Sequence, residues 1–357
     1  MVDPKPNSGW DSPPSPPTAA GNAGPQPQRI LIQQAPPPPP RGRWLTRVLV
    51  FALVLSLIAN FQLYARYKSY FSSSADPIEK FHSGEQFATN KIAVLKAEGT
   101  IMGASTKRLL RAIEQASKDN DVKGVILLVD SPGGLVADSH QIYHELHKLS
   151  EKKPMAVAMT RLAASGGYYI AMGAGPKARI YAEPTCWTGS IGVILPHFDL
   201  STLAEKVGIS SDSLKTGEFK DTLNPLRKMT DREKEVWNAI LDDSFQRFLK
   251  VIDDNRDKLD YEGVKKLATG QVYTADQAVN NGLVDEIGYL DDAISYLEKS
   301  IGITARVVSY ESPPTILDLF AESSAAQNPE NHWKAILNAS VPQALYLCSW
   351  LPALPSH

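Results

Sequence analysis

Two periodicities divide this chain. From about Lys91, short apolar runs alternate with amphipathic segments, the pattern of strand–helix units in an α/β domain. KIAVLKAEG predicts a strand, STKRLLRAIEQASKD a helix, and VKGVILLVDSPGG a buried strand ending in a Pro-Gly-Gly turn. VADSHQIYHELHKLSEK has helical apolar spacing, and Pro154 then opens a short strand, MAVAMT, leading into the loop LAASGGYYI. Further on, TGSIGVILPHFDL and SDSLKTG read as strand-rich. Thr230 and Glu233 form a capping box before a helix with Val236, Trp237, Ile240, Leu241 and Phe245 on one face. Thr274 and Gln277 open a shorter helix that Gly282 ends, and ARVVSY closes the domain as a strand.

The second pattern is unbroken apolarity. VLVFALVLSLIANFQLYA is an uncharged run of 18 residues, Val48–Ala65, long enough to cross a bilayer as a helix. Trp44 to Ala65 is therefore read as one membrane span, within an anchor over 44–66. Arg29, Arg41, Arg43 and Arg47 outweigh Arg66 and Lys68, which predicts a cytoplasmic N-terminus and an extracytoplasmic domain. More than 40 residues precede the run, which favours an uncleaved anchor over a signal peptide. Those residues hold half of the 26 prolines and few apolar side chains, so 1–43 reads as disordered. A linker, 67–89, joins the anchor to a domain at 90–310. A segment at 311–357 ends in the apolar stretch HWKAILNASVPQALYLCSWLPALP, which needs a cover from the domain, a neighbouring subunit or the membrane surface.

Composition narrows the classes. With 37 Lys and Arg against 39 Asp and Glu, the net charge of −2 argues against nucleic acid as a partner. Cys186 and Cys348 are too few for a disulfide framework or a Cys-rich zinc site. Cys186 reads as a small apolar core residue. His140, His144 and His147 share one helix face, but no carboxylate or cysteine partner is indicated for a metal, nor an orienting acid for a catalytic triad, so a polar helix face accounts for them. No metal or organic cofactor is called for.

The chemistry-bearing feature is Ser165, set between alanines and a Gly-Gly pair, with Lys220 following in GEFKDTLNP. A serine hydroxyl needs a neighbouring base, and a lysine serves once burial strips its charge. The small residues round Ser165 let a substrate carbonyl approach the backbone. A capping serine at a glycine-containing helix start is the plain alternative. In parallel α/β sheets ligands gather where strands end and helices begin, and Gly134 and Ser165 both fall at such ends.

These residues resemble the signal peptide peptidase A group of membrane-bound serine peptidases. VDSPGG, AASGGYYIA, TGSIGV, GEFKD, the following MT-x-x-E, and GQVYTADQAVNNGLVDEIG occur in that family's order over residues 90–310. The resemblance implies an α/β fold like that of the Clp protease and the crotonases, with a Ser-Lys dyad. It implies Ser165 as nucleophile and Lys220 as general base, with Lys206, Lys215 and Lys228 as the alternatives. Lys220 is preferred because it alone precedes the aspartate of the matching motif. Backbone N–H groups of Gly134 and Gly166 match the oxyanion hole, and Ser190 the serine that orients the lysine. Asp221 must then point away from Lys220. The resemblance further implies a homo-oligomer with sites shared between subunits, acting on apolar peptides such as remnant signal peptides at the outer face of a bacterial cytoplasmic membrane. The rival readings are a crotonase-like acyl-CoA enzyme and a catalytically silent membrane scaffold.

Overall fold

The computed structural model describes residues 43–71, 77–311 and 345–347, with no side-chain detail for Arg43, Leu45, Thr46 and 63–71. The Pro-rich segment and most of the apolar tail lie outside the described residues. The chain divides into two units, Met1–Lys68 and Ser69–His357.

The first unit carries helix α1, Arg43–Phe71, which covers the whole stretch read as an anchor. Its described side chains, among them Val48, Leu49, Phe51, Leu55, Ile58 and Phe61, are exposed. Among the described residues no helix is long and apolar enough to cross a membrane.

The second unit is a mixed sheet with helices on both faces. Its strands are β1 Ile78–Gly84, β2 Lys91–Glu98, β3 Val122–Ser131, β4 Gly133–Leu135, β5 Met155–Ala164, β6 Arg179–Ala182, β7 Trp187–Gly189, β8 Val272–Thr274, β9 Glu286–Ile287, β10 Arg306–Glu311 and β11 Leu345–Leu347. Its helices are α2 Ala104–Lys118, α3 Val136–Ser150, α4 Gly166–Ala171, α5 Ser201–Lys206, α6 Asp231–Asp253, α7 Tyr261–Leu267, α8 Ala275–Asn280 and α9 Leu290–Ile301. The main sheet has the order β1-β10-β2-β3-β5-β6-β9, parallel from β10 to β9, with β1 antiparallel at one edge. β7 continues the pairing along β5 beyond β6 and carries β8 antiparallel.

The continuous apolar runs of β2, β3 and β5 follow from burial on both faces. Leu95, Leu127, Val129, Val157 and Met159 point into the larger core with α2, α3 and α4, whereas Ile92, Val94, Ile126 and Ala158 face Ala293, Ile294 and Leu297 of α9. Both expected capping boxes form: Thr230 and Glu233 begin α6, and Thr274 and Gln277 begin α8.

Three features depart from the sequence pattern. β1 lies inside the stretch read as linker, held by its register with β10. β5 extends beyond MAVAMT to Ala164, because β7 pairs with Leu162, Ala163 and Ala164 after β6 has ended. Finally, the stretch read as strand-rich after Gly189 contains no strand; Ile194 makes an isolated bridge to Leu345, and from there to Thr230 the chain forms loops and α5. That stretch exposes Phe198, Leu203, Ile209 and Leu214. Val236 and Ile240, on the expected apolar face of α6, are also exposed, and that helix buries its C-terminal half through Phe248, Leu249, Val251 and Ile252.

Candidate active site

The site is built where β3 and β5 end. β3 stops at Ser131, whose hydroxyl donates to the Gly99 carbonyl at 2.6 Å and accepts from the Gly133 N–H at 3.1 Å. Pro132 and Gly133 turn the chain into β4. Gly133 has φ +100°, and an ideal Cβ there would lie 2.0 Å from the Tyr346 carbonyl oxygen and 2.7 Å from the Gly166 nitrogen. Only glycine fits that position. β4 bridges to Ile101 on one edge, where the Ile101 N–H donates to Gly133 and the Leu135 N–H to Ile101, both at 2.9 Å.

Ser165 joins β5 to α4. Its φ of 53° and ψ of −114° are rare for a residue with a side chain and cost on the order of 1–3 kcal/mol. The surroundings fix that conformation: the Ser165 N–H donates to the Gly189 carbonyl at 2.7 Å, and its carbonyl accepts from the Tyr169 N–H at 2.8 Å, the first bond of α4. Ser165 is fully buried, yet its Oγ makes no hydrogen bond among the described residues. An unsatisfied buried hydroxyl on a strained strand-to-helix corner makes Ser165 a candidate functional residue.

Gly166 follows at the N-terminus of α4. An ideal Cβ on it would lie 3.1 Å from the Gly134 nitrogen and 2.7 Å from Ser139 Oγ. The N–H-bearing atoms of Gly134 and Gly166 are thus gathered beside Ser165. Ser190 also has positive φ, 50°, is nearly buried, and donates its N–H to the Gln271 carbonyl at 2.7 Å. Four of the expected site residues, Ser165, Gly166, Gly134 and Ser190, therefore share one corner of the fold.

Lys220 makes no hydrogen bond with Ser165 within the chain. It is exposed on the turn Gly217–Leu223, and its ammonium has no ion-pair partner among the described residues. Asp221 is held by Lys215 and by Arg227, whose Nη2 donates to Asp221 Oδ1 at 3.0 Å. Arg227, followed by Lys215, draws the Asp221 carboxyl well below the usual carboxylate range. Arg227 also donates to Glu233, which it holds at about 2, and Glu233 in turn caps α6 through Thr230. This network ties the lysine-bearing turn to a helix and consumes Lys215, one of the alternative bases. Lys206 and Lys228 are exposed.

His140 bonds the Tyr169 hydroxyl through Nδ1 at 2.8 Å and stacks on Tyr143, so it belongs to an aromatic cluster behind α4. Burial lowers its pKa. Cys186 is buried and free, its thiol pushed up to about 12 by desolvation, which makes it an inert core residue.

The sequence reading missed what covers the glycines. β11 runs antiparallel to β4 in the register Leu345↔Leu135, Tyr346↔Gly134 and Leu347↔Gly133. On its other side Leu345 exchanges two bonds of 3.0 Å with Ile194. The tail's apolarity signalled that it would dock, but not where.

A strained, buried serine at a strand–helix corner thus lies beside glycine amides from a neighbouring strand end, on a Clp-like α/β fold. Comparisons with known proteins agree. The model of Peptidase family S49 matches residues 147–304, and that of Clp protease residues 85–188. A relative from Enterococcus faecium, named signal peptide peptidase SppA, is 36% identical over 245 residues, 65% of this chain and 70% of its own length. A Haemophilus influenzae protease named SohB is 33% identical over 257 residues, 69% of this chain and 70% of its own. Protease 4 of the same organism is 34% identical over 247 residues, 66% of this chain and 38% of its own. The chain belongs to peptidase family S49 and is a serine peptidase.

Proposed function

We propose that the protein is a membrane-anchored endopeptidase in which Ser165 attacks the peptide carbonyl and Lys220 is the base. The amine, once uncharged, takes the hydroxyl proton and returns it to the leaving amine. The N–H groups of Gly134 and Gly166 stabilise the oxyanion, and Ser190 orients the lysine. The observation that carries this reading is Ser165 itself: positive φ, complete burial, and an Oγ without a partner beside those glycines.

Lys220 is supplied by a second copy of the chain. Two observations support this. Lys220 is exposed and has no ion-pair partner among the described residues, while Asp221 is held by Arg227. The residues before and after Lys220 leave Phe198, Leu214, Val236 and Ile240 exposed, apolar side chains that a neighbouring subunit would cover. That cover would also strip water from the lysine, which favours its uncharged form.

The anchor is α1. Its uncharged stretch, the 18 residues Val48–Ala65, rises roughly 27 Å at about 1.5 Å per residue, close to the ~30 Å hydrocarbon core. The arginines before it favour a cytoplasmic N-terminus and a peptidase domain on the outer face of a bacterial cytoplasmic membrane. Apolar peptides released there, such as signal peptide remnants, are the substrates.

The test is labelling by a fluorophosphonate. Label on the wild-type chain that is lost in Ser165→Ala, with the fold retained, supports the peptidase reading. Equal labelling of both proteins contradicts it. The result also separates this reading from an acyl-CoA enzyme or a silent scaffold.

A further inference from the structure

A second recess lies at the carboxyl ends of β2 and β10. It is a cleft of about 300 Å3 between those strand ends and α2, with Ile101, Leu109, Ala112, Ile142 and Tyr310 as its apolar floor. Strand ends of this kind are where ligands gather in parallel α/β sheets. The cleft is separate from the groove beside Ser165. Gly134 of β4 bridges to Ile101 on one side and pairs with Tyr346 on the other, so Ile101 and Tyr346 lie on opposite edges of β4.

The polar groups of the cleft divide into engaged and free. Ser105 donates to the Thr100 carbonyl at 2.7 Å, Thr106 to Asp138 at 2.8 Å and Tyr310 to Asp119 at 3.2 Å. Lys96 pairs with Glu311 at 3.0 Å. Arg108 and Glu98 line the same cleft, both exposed, and neither has a hydrogen-bond or ion-pair partner among the described residues. With the hydroxyls already used, a sugar-like ligand finds nothing to bond. A ligand of one charge uses one free group and is repelled by the other. An apolar molecule carrying both charges engages floor and rim together.

We infer that this cleft binds short apolar peptides as zwitterions, with the carboxylate on Arg108, the ammonium on Glu98 and the side chains on the floor. Its volume is at the small end of ligand pockets, roughly 300–1,000 Å3, which suits a di- or tripeptide. Such peptides are products of the proposed endopeptidase. The inference rests on that reading for their source and effect, but not for their binding.

Ile101 connects the cleft with the chemistry. Its N–H donates to Gly133 and its carbonyl accepts from Leu135, both at 2.9 Å, and an ideal Cβ on Gly134 would lie 2.1 Å from the same carbonyl. β4 therefore follows Ile101 without slack. A peptide seated on the Ile101 side chain shifts the strand that carries the Gly134 N–H, and a displaced oxyanion donor costs rate rather than binding. Product in the cleft thus lowers kcat and leaves KM unchanged.

The test uses Leu-Leu and the full chain. Calorimetry on Ser165→Ala, where nothing is turned over, should give a Kd of about 0.1–1 mM. Arg108→Glu, Glu98→Lys, or blocking both peptide ends as N-acetyl-Leu-Leu-amide should each weaken binding at least about tenfold. Both substitutions fall on exposed side chains, which the fold tolerates. With wild-type protein, saturating Leu-Leu should lower kcat for a fluorogenic peptide at least about threefold at constant KM. Arg108→Glu should keep the basal kcat and lose the inhibition. No measurable binding, equal binding of the blocked peptide, or an affinity indifferent to Arg108→Glu overturns the site. Inhibition that acts through KM alone places Leu-Leu in the substrate groove and overturns the coupling. Leu-Leu binding with wild-type protein that neither cleaves nor labels would retain the cleft and refute the nucleophile; cleavage without Leu-Leu binding does the reverse.

Discussion

The Ser165 amide donates to the Gly189 carbonyl at 2.7 Å, and this bond ties the strained corner of the candidate site to the end of a strand that pairs with the same β5. Gly189 has φ +83°, and an ideal Cβ on it would lie 2.6 Å from Tyr273 Cδ2. Gly189→Ala is therefore expected to lower unfolding free energy by about 1–3 kcal/mol. It should also slow fluorophosphonate labelling in the fraction that remains folded, because the Ser165 corner loses its fixed partner. Urea titration and labelling rate check the two effects separately. Unaltered stability and labelling would show that the corner holds its shape without this strand end.

A second expectation concerns Asp221. Arg227 binds it together with Lys215, which leaves Lys220 free of its sequence neighbour. Arg227→Ala releases that carboxylate and unties the turn from Glu233. Activity at neutral pH should fall at least about tenfold, and the rising acid limb of kcat/KM should move to higher pH, since a carboxylate near an amine favours its charged form. A loss confined to KM, with no movement of the pH profile, would assign Arg227 to structure alone.

The third concerns stability. Arg256 is almost fully buried and donates to Asp285 at 2.8 and 2.9 Å and to the Gly282 carbonyl. Burial opposes ionisation of Asp285, but the bonds from Arg256 outweigh it and the carboxyl titrates below its usual range. A depressed carboxyl stabilises above its unfolded pKa of about 3.9 and loses that contribution as pH falls through the folded value. Asp285→Asn should thus cost about 3–5 kcal/mol at neutral pH, by stranding a buried guanidinium, and less of that difference should survive toward pH 2. Chemical denaturation at both pH values measures it.

The fourth concerns α1. A chain beginning at Pro77, just before β1, should remain in the soluble fraction, whereas the full chain should sediment with membranes and resist carbonate extraction. Carbonate release of the full chain would contradict the anchor.

The strands and helices that deliver Ser165 were legible in the sequence because their signals are local: buried apolar runs for β2, β3 and β5, capping boxes for α6 and α8, and glycines where strands end. Ser165 could be singled out as a candidate from its neighbours alone. Three things were not local. β1 is specified by its pairing with β10, more than 200 residues away. The segment SDSLKTG, residues 211–217, has strand-like composition but no partner edge among the described residues, so periodicity misleads there. Tyr346 looks like any apolar tail residue, and its place beside Gly133 depends on a 3-residue pairing with β4 and on the pocket between Tyr169 and Phe248.

The central claim is that Ser165 of one copy works with Lys220 of another. Ser165→Ala and Lys220→Ala are each expected to be inactive and still assembled. The direct measurement is peptidase activity after the two inactive proteins are unfolded together and refolded as mixed assemblies. Recovery of a substantial fraction of wild-type activity is the expected result, because some interfaces then pair an intact serine with an intact lysine. No recovery from mixed assemblies, with both variants folded and co-assembled, would contradict the account.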